Sequence, residues 1–208
     1  MVDCIIIGGA DMNTNCVDRS LFDGKYIICA DRGVAHAQKI GIEPDLIVGD
    51  FDSLGFVPQT DCRIMQFKPE KDDTDLMIAL KEAIKLGFKD ILIYAALGGR
   101  LDHTFASIQT LAYALEHGVK AQLKSESDIA ELFDPGEYPI NRKEGYSMSL
   151  FSYSENVTGL NIKGAKYEVT DADLDSSFPL GVSNEIVETE AVISFKSGRL
   201  LVIQSFLQ

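Results

Sequence analysis

Residues 48–55, "VGDFDSLG", set two carboxylates one residue apart at the end of an apolar run, in a chain whose net charge is already −13. Side chains alternate along extended backbone, so Asp50 and Asp52 share one face while Phe51 points to the other. Two carboxylates on one face offer oxygen ligands to a hard cation. Mg²⁺ is commonly held by one or two such groups together with water and substrate phosphate. A turn is the plain alternative, because Asp, Ser and Gly are all turn residues. A second acidic stretch, "EKDDTDLM" at residues 70–77, has its own structural reading: Asp72 or Asp73 as a helix N-cap and Asp75 as a complement to the helix dipole. A third stretch, "LGGRLDHT" at residues 97–104, brings Gly98 and Gly99 before Arg100. Glycines let backbone amides approach an anion, and a guanidinium forks onto phosphate oxygens. The spacing fits neither the P-loop, G-x-x-x-x-G-K-[ST], nor the dinucleotide fingerprint, G-x-G-x-x-G. "IIGGADMN" after the first apolar run is similar and equally unspecific alone.

The elements that must position these groups are legible up to about residue 120. "CIIIGG", "YIICAD", "DLIVGD", "RIMQF" and "DILIYAAL" read as buried strands, separated by helical patterns, which predicts crossover connections and a parallel sheet covered on both faces. "DDTDLMIALKEAIKLG" spaces Leu76, Leu80, Ala83 and Ile84 as one apolar helix face and stops at Gly87. "DHTFASIQTLAYALEHG" repeats that logic to Gly118, and "GVAHAQKIG" is a shorter helix. The acids then fall where a parallel sheet binds ligands, beyond the C-terminal ends of its strands. Asp31 follows one strand, Asp50 and Asp52 a second, the "EKDDTD" cluster a third and "GGRLD" a fourth. Acids with Lys71 and Arg100 at neighbouring strand ends describe a Mg-dependent site for a nucleotide or another phosphate.

From about residue 121 helical periodicity gives way to short alternating runs: "IAELFD", "YSMSLFSY", "VTGLNI", "KYEVT", "AVISFKSG" and "LLVIQSF". This predicts an antiparallel sandwich or barrel, with "KSGRL" as a hairpin turn. The expected fold is therefore α/β: a Rossmann-like domain over residues 1–124, then a smaller all-β domain over 125–208. The composition, 46% hydrophobic and 25% charged, is that of a folded globular chain. Its negative charge, without a Lys/Arg run, argues against nucleic acid and anionic membranes as partners. The first residues carry no basic leader and too short an apolar core for a signal peptide, so a cytoplasmic location is expected. Cys4, Cys16, Cys29 and Cys62 form no C-x-x-C pair, and with His36, His103 and His117 they make no zinc spacing. Cys4 and Cys29, inside strand-like runs, read as reduced structural thiols.

In order, Asp31-Arg32-Gly33, Pro44-Asp45, Gly49-Asp50-Phe51-Asp52-Ser53, Glu70-Lys71-Asp72-Asp73-Thr74-Asp75 and Gly98-Gly99-Arg100-Leu101-Asp102-His103 closely resemble bacterial thiamine pyrophosphokinase. Ser183-Asn184-Glu185 resembles that family's signature in its second domain. The resemblance spans nearly the whole chain. It implies transfer of the pyrophosphoryl group of ATP to the hydroxyl of thiamine, giving thiamine diphosphate and AMP, in a homodimer with the site at the subunit interface. It further implies that Asp31, Asp50, Asp52, Asp72 and Asp75 hold Mg²⁺ and activate the hydroxyl. ATP phosphates fall to Lys71, Arg100, Gly98, Gly99 and Thr74, with Asp102 orienting Arg100. Ser183 and Asn184 are implied as contacts to thiamine. The chain has no Trp, so stacking on the pyrimidine passes to Tyr167 or Phe178, whose alternative is the core of the β domain. Pyrophosphate transfer to a hydroxymethyl-pterin, a Mg-dependent phosphohydrolase and a catalytically silent thiamine or nucleotide sensor are the competing readings.

Overall fold

The computed structural model describes residues 2–50, 62–67 and 72–207. The chain divides into two compact units, Met1–Glu126 and Ser127–Gln208.

In the first unit the described strands are β1 (Cys4–Ile7), β2 (Tyr26–Ala30), β3 (Leu46–Gly49), β4 (Arg63–Gln66), β5 (Asp90–Tyr94) and β6 (Lys120–Lys124). Its described helices are a short 3-10 turn (Arg19–Phe22), α1 (Gly33–Ile40), α2 (Asp75–Lys85) and α3 (Leu101–Glu116). The strands pair in parallel in the order β6-β5-β1-β2-β3-β4. Every residue of β1 and β3 is buried, which is why these strands read as continuous apolar runs without alternation. Ile5, Ile7, Ile27, Cys29 and Ile47 pack with Val34, Ala37 and Ile40 of α1. The alternate residues Ile6, Ile28, Leu46 and Val48 are also buried and face the other way. Each such side chain contributes on the order of 1.5–3 kcal/mol, so the strand ends behind the site are firmly anchored.

Helix ends follow local chemistry. The cap of α2 is Thr74, whose side chain accepts from the Met77 N–H at 3.1 Å, rather than the expected Asp72 or Asp73. A threonine placed directly before Asp75 reaches the third helical amide, while Asp73 instead pairs with Lys81 at 2.6 Å. Gly41, Gly87 and Gly118 follow α1, α2 and α3 with φ of 70°, 94° and 65°, as their stop signals predict. Gly33 is needed for a different reason: a Cβ there would lie 2.0 Å from the Ile7 carbonyl oxygen, so only glycine lets α1 start this close to β1.

The second unit contains strands only among its described residues: β7 (Asp128–Phe133), β8 (Gly136–Asn141), β9 (Tyr146–Ser152), β10 (Asn156–Lys163), β11 (Val169–Asp175), β12 (Gly181–Asn184), β13 (Glu190–Phe195) and β14 (Leu200–Phe206). They form an antiparallel layer β12-β9-β14-β7 and a four-stranded antiparallel sheet β11-β10-β13-β8. Met148, Leu150, Leu200 and Val202 of the first layer share one core with Val157, Leu160, Ile162, Ile193 and Phe195 of the second. The "KSGRL" turn is not a hairpin. Its flanking strands β13 and β14 pair in different sheets, so the turn carries the chain across the core from one layer to the other. "KYEVT" is also displaced, since β11 begins only at Val169. No helix among the described residues is long and apolar enough to cross a membrane.

Candidate active site

Three of the predicted acids meet. Asp31 follows β2 and takes a left-handed backbone, φ 48°, with its N–H donated to the Val48 carbonyl at 2.8 Å. That bond ties the end of β2 to β3, and Asp50 follows β3 directly. Asp75 opens α2. Each of the three offers an oxygen, and these oxygens lie within 4.8 Å of one another, all on half-buried residues. Non-glycine residues with positive φ cost energy and concentrate at functional sites. Like-charged carboxylates this close repel, so the arrangement favours a shared cation. An all-carboxylate set suits a hard divalent ion such as Mg²⁺ and not a thiol-seeking one.

Two of these acids, Asp31 and Asp75, border a cleft of about 490 Å³. Asp31, Thr74 and Asp75 line one part of it, Gly8, Gly9 and Ala10 another. Gly98, Gly99 and Arg100 line it as well. Gly98 and Gly99 have φ of 90° and 68°, and a Cβ at either would meet nothing within 4 Å. The loop thus has left-handed backbone that glycine alone adopts at little cost, with open space for a ligand to approach. Thr104 steadies it by donating its hydroxyl to the Gly98 and Arg100 carbonyls at 3.2 and 3.3 Å. Arg100 stands at the N-terminus of α3, where the helix dipole favours an anion.

Arg100 and Asp102 form a two-pronged pair, Nε to Oδ1 at 3.1 Å and Nη2 to Oδ2 at 2.5 Å. The pair is exposed and raises the Arg100 pKa, while the Arg100 side chain holds the Asp102 carboxyl below its ordinary value. Asp102 thereby holds the guanidinium at the cleft. Asp72 is exposed and is not one of the three converging acids. Asp52 and Lys71, both expected here, lie outside the described residues.

Residues 17–123 match the thiamin pyrophosphokinase catalytic domain and residues 137–200 the thiamin pyrophosphokinase vitamin B1 binding domain. The chain belongs to the thiamin pyrophosphokinase family. It is 32% identical over 186 residues to thiamine pyrophosphokinase of Bacillus subtilis, covering 86% of each chain. The crystal structure of thiamine pyrophosphokinase from Bacillus subtilis superposes with a TM-score of 0.86 at 27% identity, covering 99% of both chains. That of thiamin pyrophosphokinase from Geobacillus thermodenitrificans gives 0.83 at 26%, covering 99% of this chain and 97% of that one.

The remaining candidates of this thiamin pyrophosphokinase family member lie in the second unit. Tyr167 and Phe178 are 61% and 65% exposed, which removes the alternative that they are core. Ser183 has φ 60° and is exposed, with its N–H donated to Ser149 Oγ at 3.1 Å. Asn184 is different: only 5% exposed, it is occupied within the fold. Its Oδ1 accepts from the N–H groups of Tyr167 and Glu185 at 3.0 and 2.9 Å, and its Nδ2 donates to the Tyr167 carbonyl at 2.8 Å. Asn184 therefore fixes the backbone that presents the Tyr167 ring. Beside that ring, Lys166 Nζ lies 5.7 Å from its centroid and pairs with Glu185 at 3.2 Å.

Cys4 and Cys29 are buried, Cys62 is half-buried and Cys16 exposed, and among the described residues none of the four forms a disulfide. Burial pushes the Cys4 thiol up to about 12 and raises that of Cys29 as well, so neither is a thiolate near neutral pH. Arg32 and His103 also line the cleft. Nothing in their sequence spacing distinguishes them from their neighbours.

Proposed function

We propose that this chain is a thiamine pyrophosphokinase, transferring the pyrophosphoryl group of ATP to the hydroxyl of thiamine and releasing AMP. The observation that carries this reading is the convergence of Asp31, Asp50 and Asp75, the first and last of which line a cleft shared with Gly98-Gly99-Arg100, in a member of this family. The first unit's parallel sheet is read as a Rossmann-like ATP-binding domain over residues 1–124. Residues 125–208 are read as the thiamine-binding and dimerisation domain of a cytoplasmic homodimer, with the site at the subunit interface.

The donor set fits Mg²⁺, held by Asp31, Asp50 and Asp75 with Asp52 and Asp72, and such an ion neutralises phosphate charge when bound. Arg100, kept in place by Asp102, and Lys71 bind the ATP phosphates. The Gly98-Gly99 backbone and Thr74 complete the phosphate contacts. The thiamine oxygen attacks the β-phosphorus in line, the bond from that phosphorus to the bridging oxygen breaks, and AMP leaves with that oxygen. Asp72 or Asp75 accepts the hydroxyl proton, directly or through water, as the new bond forms. Ser183, with Asn184 behind it, and the ring of Tyr167 or Phe178 hold the aminopyrimidine.

The test is AMP release from ATP and Mg²⁺ with and without thiamine, with mass detection of product. AMP formed only when thiamine is present, together with thiamine diphosphate, is the expected result. ATP loss independent of thiamine would make the protein a phosphohydrolase; thiamine binding without turnover would make it a sensor. Neither binding nor turnover with thiamine would redirect the search to pterin acceptors.

A further inference from the structure

His36 sits in α1 with 7% of its surface exposed, and its Nε2 lies 2.9 Å from the Ala10 carbonyl oxygen. A carbonyl only accepts, so Nε2 carries the proton and Nδ1 presents a bare lone pair. Among the described residues Nδ1 is buried without a hydrogen-bond partner. The other buried residues of α1 are Gly33, Val34, Ala37 and Ile40, all small or apolar. A half-satisfied imidazole in such company costs stability relative to an apolar side chain. Its use must lie in what Nε2 holds.

It holds one wall of the cleft. Gly8, Gly9, Ala10 and Asp11 all border that space. The Gly8 N–H donates to the Tyr94 carbonyl at 2.8 Å and the Ala10 N–H to the Ala95 carbonyl at 2.9 Å, which fixes the segment against the end of β5. The Ala10 carbonyl is fixed from the opposite partner, α1, by His36. In a trans peptide C=O and N–H point opposite ways, so anchoring that oxygen also sets the direction of the Asp11 N–H. We propose that His36 is a positioning residue for nucleotide binding, pinning the Ala10–Asp11 peptide so that the loop after β1 keeps its shape around bound Mg·ATP. The inference rests on the reading of this cleft as the ATP site.

Acid gives an independent handle. Burial pulls the His36 pKa below its ordinary 6.5, opposed by the bond to Ala10; Lys39 and Arg32 pull the same way as burial and Asp11 opposes them. Protonation would add a second buried N–H, at Nδ1, where no acceptor stands. The unfolded chain takes up this proton near 6.5 and the folded chain only at lower pH. Stability is therefore fully present above about 6.5 and is lost as pH falls from there through the folded value.

The experiment measures Mg·ATP dissociation constants by calorimetry, with KM values for both substrates, for wild type, His36→Met and His36→Gln. His36→Met leaves the Ala10 carbonyl unpaired and is expected to weaken Mg·ATP binding about tenfold with thiamine KM within about twofold. His36→Gln, whose amide can donate in place of Nε2, is expected within about twofold of wild type. As pH falls below 6.5 the ATP KM of wild type should rise relative to that of His36→Gln. Unchanged Mg·ATP affinity in His36→Met would overturn the proposal. If that variant does not fold, parallel pH profiles of wild type and His36→Gln would overturn it instead. Wild type that fails to bind Mg·ATP at all would overturn the reading of the cleft, and this inference with it.

Discussion

Asp75 in the first unit and Asn184 in the second are both polar residues partly or wholly withdrawn from water, and their surroundings are opposite in kind. The carboxylate of Asp75 stands within 4.8 Å of those of Asp31 and Asp50, an arrangement of like charges that gains from an added cation. The amide of Asn184 accepts from two backbone N–H groups and donates to a carbonyl, so it is largely satisfied by the fold itself. The first arrangement crowds like charges together; the second satisfies a polar amide within the fold. Two residues from sequence motifs thus divide into one set among converging like charges and one held by backbone hydrogen bonds that fix the Tyr167 segment.

The largest expected effect tests the first half of that contrast. Asp75→Asn should lower turnover by about a hundredfold to a thousandfold, the cost of removing one preorganised charge from a phosphoryl-transfer site. Stability should change by no more than about 1 kcal/mol, because the lost interaction with the N-terminus of α2 opposes the relief of repulsion. Steady-state rates and urea melts without Mg²⁺ check both parts. Near-normal turnover would remove Asp75 from the chemistry, and a large loss of stability would make it a structural residue like Asn184.

The converse holds for Asn184→Leu, which leaves the Tyr167 and Glu185 amides and the Tyr167 carbonyl without their partner. A loss of about 2 kcal/mol is expected, read as a lower urea midpoint at unchanged slope. The thiamine KM should rise with it, since Tyr167 loses its anchor, while the ATP KM stays within about twofold. A variant as stable as wild type would show that Asn184 is no clip.

Much of this was legible because burial writes itself plainly into sequence. The strands β1, β2, β3 and β5 are continuous apolar runs, and a parallel sheet sends whatever follows them to one edge, so Asp31 and Asp50 could be placed before any coordinates. Elsewhere the signal was too thin. β6 carries only Ala121 and Leu123 between polar residues, and β12 is "GVSN". β8 contains Pro139, which a strand tolerates because β8 lies at the end of its four-stranded sheet. The turn at "KSGRL" has hairpin chemistry, but which sheet each neighbouring strand joins is a long-range outcome. His36 gave no signal, because a helical histidine at an inward position looks the same whether or not a carbonyl faces it. The α2 cap is expected at Asp72 or Asp73, both of a common N-cap type, and it falls instead on Thr74, because that residue directly precedes the first helical turn.

The smallest effect separates conformation from contact at Ser183, the motif residue beside Asn184. Its φ of 60° disfavours any side chain with a Cβ. Glycine relieves that strain but loses more backbone entropy on folding, so Ser183→Gly should leave stability within about 0.5 kcal/mol of wild type or slightly above it. The hydroxyl is lost in the same substitution. If Ser183 meets thiamine while Asn184 only supports Tyr167, Ser183→Gly should raise the thiamine KM more than the ATP KM with no drop in the urea midpoint. Asn184→Leu should lower that midpoint while it raises the same KM. Equal changes in both KM values for Ser183→Gly would place the thiamine pocket elsewhere, whereas a lowered midpoint would mean that Ser183, through its exposed backbone and the bond to Ser149, is as structural as its neighbour.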